Sequence, residues 1–143
     1  MATRVLITER DPSIAALLQT VVCRVFDCDV HVANEPDSAS EALRTQNFDL
    51  ILLDIGMYSE GLETLRHIRG RNANCEVIAL TTGAIGGALL KTLAEADVFA
   101  VLSKPFDTAQ LDAVLQESVR PERSEDPNHP LVYREFGRTP TRE

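Results

Sequence analysis

Short apolar segments alternate with segments of helical periodicity through the first 120 residues. Apolar or alternating runs predict strands at 4–8, 29–33, 49–54, 76–82 and 100–104. The intervening segments predict helices at 11–26, 36–46, 61–71, 87–96 and 107–120. The third strand is apolar on both faces, which is typical of a central strand in a parallel sheet. The pattern therefore predicts an α/β fold in which helices cover both faces of a doubly wound parallel sheet.

Three of the predicted helices begin with residues suited to capping. Asp11 precedes a proline, which is tolerated in a first turn because its missing N–H would have no helical partner. Ser38 and Glu41 have the spacing of a capping box, in which each side chain bonds to the other residue's backbone N–H. Asp107 and Gln110 have the same spacing at the last helix. We therefore expect helix starts near these positions.

The composition changes at Pro121. Residues 121–143 contain four of the seven prolines and few large aliphatic side chains, and they are too few for a second globular unit. We therefore divide the chain into a domain at 1–120 and a C-terminal tail or linker at 121–143, which we expect to be flexible. The apolar cluster LVYREF at 131–136 leaves a second interpretation open, in which this segment docks on the domain or on a partner.

The charge and the apolar segments limit the classes of function. The net charge is −8 over 143 residues, which argues against a general nucleic-acid interface because phosphate backbones repel an acidic protein. No segment approaches the roughly 20 apolar residues of a membrane span, and the N-terminus lacks the pattern of a signal peptide. Cys23, Cys28 and Cys75 have no CxxC spacing and are expected to be reduced thiols. These features predict a cytoplasmic protein that binds neither nucleic acid nor membranes.

Polar side chains stand where the predicted strands end. The carboxyl ends of parallel strands share one edge of the sheet, where functional groups gather. That edge would carry Glu9, Arg10, Asp54, Thr81 and Lys104. A carboxylate beside an ammonium and a hydroxyl suits transfer of a phosphoryl group to the acid, since such catalysis depends on positioning and charge neutralisation. Alternatively, Asp54 serves only as a turn or cap residue.

The motifs at this edge resemble those of a known family. The segments TERDP, LLDIGM, IALTTG and LSKPF resemble, in order and spacing, the receiver domain of two-component response regulators. The resemblance implies a flavodoxin-like fold with strand order 2-1-3-4-5. It implies that Asp54 accepts a phosphoryl group, that Thr81 is a switch hydroxyl and that Lys104 pairs with the phosphate. It also implies a Mg²⁺ site formed by Glu9, Asp54 and the backbone carbonyl of Gly56.

The resemblance also implies the partners of such a domain. The phosphoryl donor would be a sensor histidine kinase or a phosphotransfer protein, and the domain would act in a phosphorelay as a signalling module rather than as an enzyme. Output would come from docking on a downstream protein through residues 87–120, and a homodimer is also open. The alternative function on the same scaffold is an interaction module that works without phosphorylation. The chain would be a stand-alone receiver or a fragment of a larger regulator.

Arg10 is the main departure from the family pattern. The family has two adjacent acids here, and a cation in place of the second leaves two acids and two cations in the predicted pocket. We therefore expect Mg²⁺ to bind weakly or not at all. Three interpretations are open: Arg10 binds the phosphoryl oxygens in place of the metal, the domain signals without phosphorylation, or Arg10 points outward while Glu9 or Asp11 serves the metal.

The resemblance is weaker at the switch aromatic residue that receivers carry three positions before the lysine. Val101 occupies this position, and Phe99, two residues earlier, would face the same side of the strand. We therefore expect Phe99 to substitute in part for the missing aromatic side chain.

Overall fold

The five predicted strands form one parallel sheet. The computed structural model describes residues 2–57, 61–71, 75–82, 86–118 and 135–136. Strands β1 to β5 cover Thr3–Thr8, Cys28–Ala33, Leu50–Asp54, Glu76–Thr82 and Ala100–Lys104. They lie in the order β2-β1-β3-β4-β5, and their pairings are all parallel. This is the flavodoxin-like arrangement, so the predicted fold is confirmed.

Helices cover both faces of this sheet. Helices α1 to α5 span Pro12–Val25, Pro36–Thr45, Gly61–Arg71, Gly87–Glu95 and Thr108–Ser118. Leu52 of β3 packs in one apolar layer with α1 and α5, and Leu53 packs in the other with α2, α3 and α4. The side chains of β3 alternate between these layers, which is why this strand is apolar on both faces. Within the described ranges, none of the helices is long and apolar enough to cross a membrane.

Two of the three expected caps are present. The Asp11 Oδ1 atom accepts a hydrogen bond at 2.8 Å from the backbone N–H two positions later. Asp107 N–H donates to Gln110 Oε1 at 3.0 Å, and Gln110 N–H donates to Asp107 Oδ1 at 2.8 Å. The prediction of a capping box formed by Ser38 and Glu41 is wrong. Because α2 begins two residues before Ser38, this hydroxyl lies inside the first turn and donates to the backbone carbonyl three residues earlier.

Part of the C-terminal segment joins the sheet. Glu135–Phe136 form a short strand, β6, which pairs in parallel with β5 beside Val101 and Leu102. Among the residues that the structure describes, the sheet therefore has six strands, with β6 at the β5 edge. This pairing favours the interpretation in which LVYREF docks on the domain. The other positions of 121–143 lie outside the described residues, so the flexibility of the tail and the domain boundary stay predictions.

Removing residues 121–143 is expected to lower the thermal midpoint without unfolding the domain. The shortened chain keeps β1 to β5 and both apolar layers, but it leaves the backbone of Val101 and Leu102 at an open edge. Each lost backbone hydrogen bond contributes about 1 kcal/mol, so Tm should fall by a few degrees. Circular dichroism melts of the shortened and full chains measure the difference. Identical midpoints would mean that β6 does not stabilise the sheet.

Candidate functional site

Three charged side chains from three strands meet at the carboxyl-terminal edge of the sheet. Glu9 directly follows β1, Asp54 ends β3 and Lys104 ends β5. Strands β1 and β3 are neighbours, whereas β4 separates β3 from β5. The lysine side chain is long enough to cross β4 from its position beside Thr82. The structure therefore brings into contact residues that the sequence predicted only to share an edge.

The Lys104 ammonium lies between the two carboxylates. Its Nζ atom is 3.0 Å from Asp54 Oδ2 and 2.7 Å from Glu9 Oε1. The Asp54 and Glu9 side chains are 5% and 2% exposed, and the Lys104 side chain is 15% exposed. In the described structure, Glu9 Oε1 accepts no contact that meets the angles of a hydrogen bond. Its contact with Lys104 is therefore an ion pair held by charge attraction. At this depth the attraction is screened much less than at the surface.

Backbone and side-chain hydrogen bonds orient Asp54. The chain leaves β3 through a 3-10 turn at Ile55–Met57, which the sequence pattern did not predict. Gly56 N–H in this turn donates to Asp54 Oδ1 at 3.0 Å, and the Asp54 N–H donates to Thr8 Oγ1 at 3.1 Å. One carboxylate oxygen of Asp54 therefore faces the backbone, and the other faces Lys104.

Glu9 is held in the same manner by the loop that follows β1. Its Oε2 atom accepts the Asp11 N–H at 3.1 Å. Its own backbone N–H donates to the Ala33 carbonyl at 3.1 Å, and its carbonyl accepts from Asn34 Nδ2 at 2.8 Å. The loop between β1 and α1 is thus fixed against the end of β2, and the Glu9 carboxylate is turned towards Lys104.

The contact shifts the pKa values of Glu9 and Lys104. Burial raises the pKa of the Glu9 carboxyl above its ordinary value, and the Asp54 carboxylate adds to this rise, although the Lys104 ammonium opposes it. Burial acts to lower the pKa of Lys104, but its contacts with Glu9 and Asp54 outweigh that effect and raise the pKa. Lys104 is therefore a cation at neutral pH and compensates the buried acids.

The three charged groups face an open cavity of about 590 Å³. Its wall also includes Arg10 and Asp11 from the loop after β1, Gly56 from the turn after β3, and Thr82 from β4. Asp54 is buried, but it lines this cavity, so a small molecule entering from solvent can reach its carboxylate. The arrangement suits a reaction in which the buried carboxylate attacks an anionic group and the nearby cations hold that group in place.

The two threonines at the end of β4 differ in position. Thr81, the predicted switch hydroxyl, is buried, and its Oγ1 atom lies 3.4 Å from Ser103 Oγ on β5. Thr82 is exposed and lines the cavity. The structure thus places the Thr81 hydroxyl beside Ser103, and its role as a switch residue stays a prediction.

The residues expected to bind Mg²⁺ fit that ion poorly. The carboxylate oxygens of Asp54 and Glu9 already contact protein groups, and the cation that the two acids share is Lys104. Arg10 adds a second positive charge to the cavity wall, and Asp11 Oδ1 is engaged as the cap of α1. In the described part of the chain, no group of three or more His, Cys, Asp or Glu side chains is arranged to hold a metal ion. Mg²⁺ prefers a near-octahedral set of oxygens, which these residues do not supply.

Sequence reasoning missed two residues that shape the site. Thr8 accepts the hydrogen bond from the Asp54 N–H, and Asn34 donates to the Glu9 carbonyl. The available signals were weak: Thr8 is the one polar residue that closes the apolar run of β1, and Asn34 directly follows β2. Their partners could not be chosen without the strand order.

Phe99 does not take the place of the missing switch aromatic residue. Val101 packs in the apolar layer with α2, α3 and α4, whereas Phe99 packs in the opposite layer with α1 and α5. The expectation that Phe99 substitutes for the aromatic side chain is therefore wrong. Phe99 precedes the first residue of β5, so the alternation of strand side chains does not extend to it.

The fold and the sequence match a known protein family. The family model for the response regulator receiver domain matches residues 5–116. The chain belongs to this family. As a receiver domain of a two-component response regulator, it is a signalling module.

Two curated relatives of this receiver domain are transcriptional regulatory proteins named ZraR. The chain is 30% identical over 129 residues to ZraR of Escherichia coli (strain K12), and 30% identical over 135 residues to ZraR of Klebsiella oxytoca. These matches cover 90% and 93% of this chain but 29% and 30% of the relatives. The receiver domain thus spans less than a third of the length of these relatives.

Solved structures share the fold of this receiver domain. A signal receiver domain of a histidine kinase from Clostridium thermocellum has a TM-score of 0.75 at 22% identity, covering 84% of this chain and 99% of that chain. A CheY-like receiver domain protein from Methanospirillum hungatei JF-1 has a TM-score of 0.73 at 21% identity, covering 82% and 93%. Similarity at this level of identity supports the fold and not a specific function.

Proposed function

We infer that this receiver domain accepts a phosphoryl group on Asp54 from a sensor histidine kinase or a phosphotransfer protein. The observation that carries the proposal is the position of the Lys104 ammonium, 3.0 Å from Asp54 Oδ2 at the wall of an open cavity. A turn or cap residue needs no such cation. A buried acid that receives an anion does need one, because its own charge and that of the incoming group would otherwise repel.

The transfer step uses an Asp54 carboxylate oxygen as the nucleophile. This oxygen attacks the phosphorus of the donor, a P–O bond forms, and the bond between phosphorus and the donor breaks with its electron pair left on the donor. The Gly56 N–H on Oδ1 holds the carboxylate in one orientation. Lys104 neutralises negative charge that spreads over the phosphoryl oxygens during transfer.

Arg10 supplies the second cation of the site. Its guanidinium can bind two phosphoryl oxygens at once, and it belongs to the wall of the cavity that exposes Asp54. Asp11 caps α1 and the Glu9 carboxylate faces Lys104, which disfavours the interpretation in which either acid serves Mg²⁺. We therefore assign charge neutralisation to Arg10 and Lys104, with weak or absent Mg²⁺ binding.

We assign the docking of downstream proteins, which transmits the signal, to the surface of α4, β5 and α5 within residues 87–120. A downstream protein, or a second copy of the domain, would dock there after phosphorylation. Strand β6 pairs with β5 at this surface, so a partner that approaches the β5 edge meets the C-terminal segment. The histidine kinase partner and the receiver fold together suggest a cytoplasmic location.

The test of the proposal is the intact mass of the chain after incubation with acetyl phosphate, a small phosphoryl donor. We expect a gain of one phosphoryl group, both with Mg²⁺ and with a chelator. No gain in either condition would overturn the phosphoacceptor function and favour a phosphorylation-independent interaction module. A gain only with Mg²⁺ would overturn the role of Arg10 and leave Asp54 as the acceptor.

Replacing Arg10 by aspartate is expected to strengthen Mg²⁺ binding at least tenfold. The change removes a cation from the cavity wall and adds a third carboxylate beside Glu9 and Asp54. Because Arg10 is exposed, solvent screens part of the charge effect, so we expect less than the full Coulomb interaction. Calorimetric titration with Mg²⁺ measures the affinity of the native chain and of Arg10→Asp.

Arg24→Asp is the matched control for this titration. Arg24 is an exposed residue in the last turn of α1, so the substitution changes the net charge equally but away from the site. It should leave Mg²⁺ binding as weak as in the native chain. Millimolar or tighter binding to the native chain would contradict the proposal.

A further inference from the structure

Two cysteines lie in contact at the opposite end of the sheet from the phosphoacceptor site. Cys23 is exposed near the end of α1, and Cys28 is the half-buried first residue of β2. Their Sγ atoms are 3.4 Å apart. Strand β2 begins at Cys28, and its carboxyl end lies near Glu9, so the cysteine pair takes no part in the site at Asp54.

Backbone contacts hold the two cysteines in this position. Helix α1 ends with the Phe26 N–H bonded to the Val22 carbonyl at 2.9 Å. The Asp27 carbonyl accepts the Thr3 N–H at 2.9 Å, which ties the following residue, Cys28, to the start of β1. The loop between the cysteines is therefore anchored to the domain on both sides, and the two free thiols are held close to each other.

We propose that Cys23 and Cys28 form a dithiol site that low-molecular-weight disulfides, such as glutathione disulfide, oxidise to an intramolecular disulfide. The Sγ atoms need to approach from 3.4 Å to the roughly 2.0 Å of a disulfide bond. Oxidation would link the last turn of α1 covalently to the first residue of β2.

The reaction proceeds by two thiol–disulfide exchanges. The Cys23 thiolate attacks one sulfur of glutathione disulfide, which forms a mixed disulfide and releases one glutathione thiolate. The Cys28 thiolate then attacks Cys23 Sγ, which forms the protein disulfide and releases the second glutathione. The two protein thiols lose two electrons and two protons, and one glutathione disulfide is reduced to two thiols.

The environment of Cys28 determines which thiol reacts first. Burial, together with the neighbouring Cys23, Asp27 and Asp29, raises the pKa of Cys28 to about 12. Its thiolate is therefore scarce at neutral pH, and the exposed Cys23 makes the first attack. The closing step should accelerate as the pH rises from neutral to mildly alkaline values, because the thiolate fraction of Cys28 grows.

The test follows the intact mass of the reduced full chain during incubation with glutathione disulfide at mildly alkaline pH. We expect the native chain to lose the mass of two hydrogen atoms and to carry no glutathione at the end of the reaction. Cys28→Ser should instead stop with one glutathione on Cys23, and Cys23→Ser should not form the internal disulfide. A native chain that retains glutathione, stays unmodified or becomes a covalent dimer would overturn the proposal.

Cys75 provides the matched control within the same chain. It is buried in the apolar core, so Cys75→Ala should oxidise as the native chain does. Asp54→Asn should also oxidise normally, because the proposal does not depend on phosphorylation. A closing rate that does not change with pH would contradict the attack assigned to Cys28.

Discussion

Replacing Asp54 by asparagine is expected to abolish the mass gain that we expect acetyl phosphate to produce in the native chain. The amide can still accept the Gly56 N–H and occupy the same space, but it has no carboxylate to attack phosphorus. The loss should be complete within detection, since among the described residues no other acid combines contact with Lys104 and the orienting turn after β3. Intact mass spectrometry of both chains under one set of conditions measures the effect.

Asp49→Asn is the matched control for this substitution. Asp49 lies next to the other end of β3, where it is exposed and accepts the Arg4 N–H at 2.9 Å. The control makes the same chemical change beside the same strand but away from the cavity, so it should accept a phosphoryl group as we expect of the native chain. Phosphorylation of Asp54→Asn at the native level would show that another residue is the acceptor.

Replacing Lys104 by methionine is expected to lower the free energy of unfolding by about 3–5 kcal/mol near neutral pH. The substitution keeps the volume of the side chain but leaves the Glu9 and Asp54 carboxylates buried without their shared cation. Removing one partner of a buried ion pair costs more than the pair contributes, because the remaining charges stay desolvated. Urea denaturation followed by circular dichroism measures the difference between the two chains.

The loss of stability in Lys104→Met should shrink as the pH falls. Burial raises the pKa of Glu9 in the native chain, and removing the opposing ammonium should raise it further. A carboxyl whose pKa is higher in the folded state than in the unfolded state binds a proton more readily when the chain is folded. The folded state therefore becomes more favourable as the pH falls through the folded pKa towards the unfolded value of 4.5. The variant should therefore recover more stability than the native chain does as the pH falls from neutral towards 4.5.

The same link between pKa and stability predicts that the native chain loses stability at alkaline pH. The folded pKa of Lys104 lies above its ordinary value of 10.5, so the stability that the ammonium contributes is present below that value. It is lost as the pH rises through the raised folded pKa. Lys104→Met should lack this alkaline loss.

Lys91→Met serves as the control for charge and composition. Lys91 is exposed on α4, so the change should alter the free energy of unfolding by no more than about 0.5 kcal/mol. A native-like stability of Lys104→Met at neutral pH would contradict the view that Lys104 compensates two buried charges.

The pattern along the chain was sufficient to predict the five helices, strands β1 to β5 and the sheet edge that carries the candidate site. Apolar alternation distinguishes strands from helices locally, and the carboxyl ends of parallel strands must lie on one edge. Asp54 and Lys104 end two such strands, so their common location needed no coordinates. The cap at Asp11 was predictable for the same reason, since a cap depends on residues a few positions away.

Contacts between distant segments depended on the folded arrangement. The pairing of Lys104 with Glu9 requires that β1 and β5 lie on opposite sides of β3, and the placement of Thr81 beside Ser103 requires the register of β4 and β5. Local periodicity carries no information on strand order or register, because the same apolar alternation satisfies several pairings. The misassignment of Phe99 has a related cause, since the exact start of β5 decides which apolar layer this ring enters.

The amino-acid order thus specified which residues form strands, which acids and cations stand at their ends, and that a cation replaces the usual second acid. It left undetermined which partner each charge would meet, that the C-terminal segment would add β6, and that Cys23 would lie against Cys28. The physical reason is the range of the interactions. Helix and strand propensities act over a few residues, whereas ion pairs, sheet edges and thiol contacts form only when packing brings remote segments together.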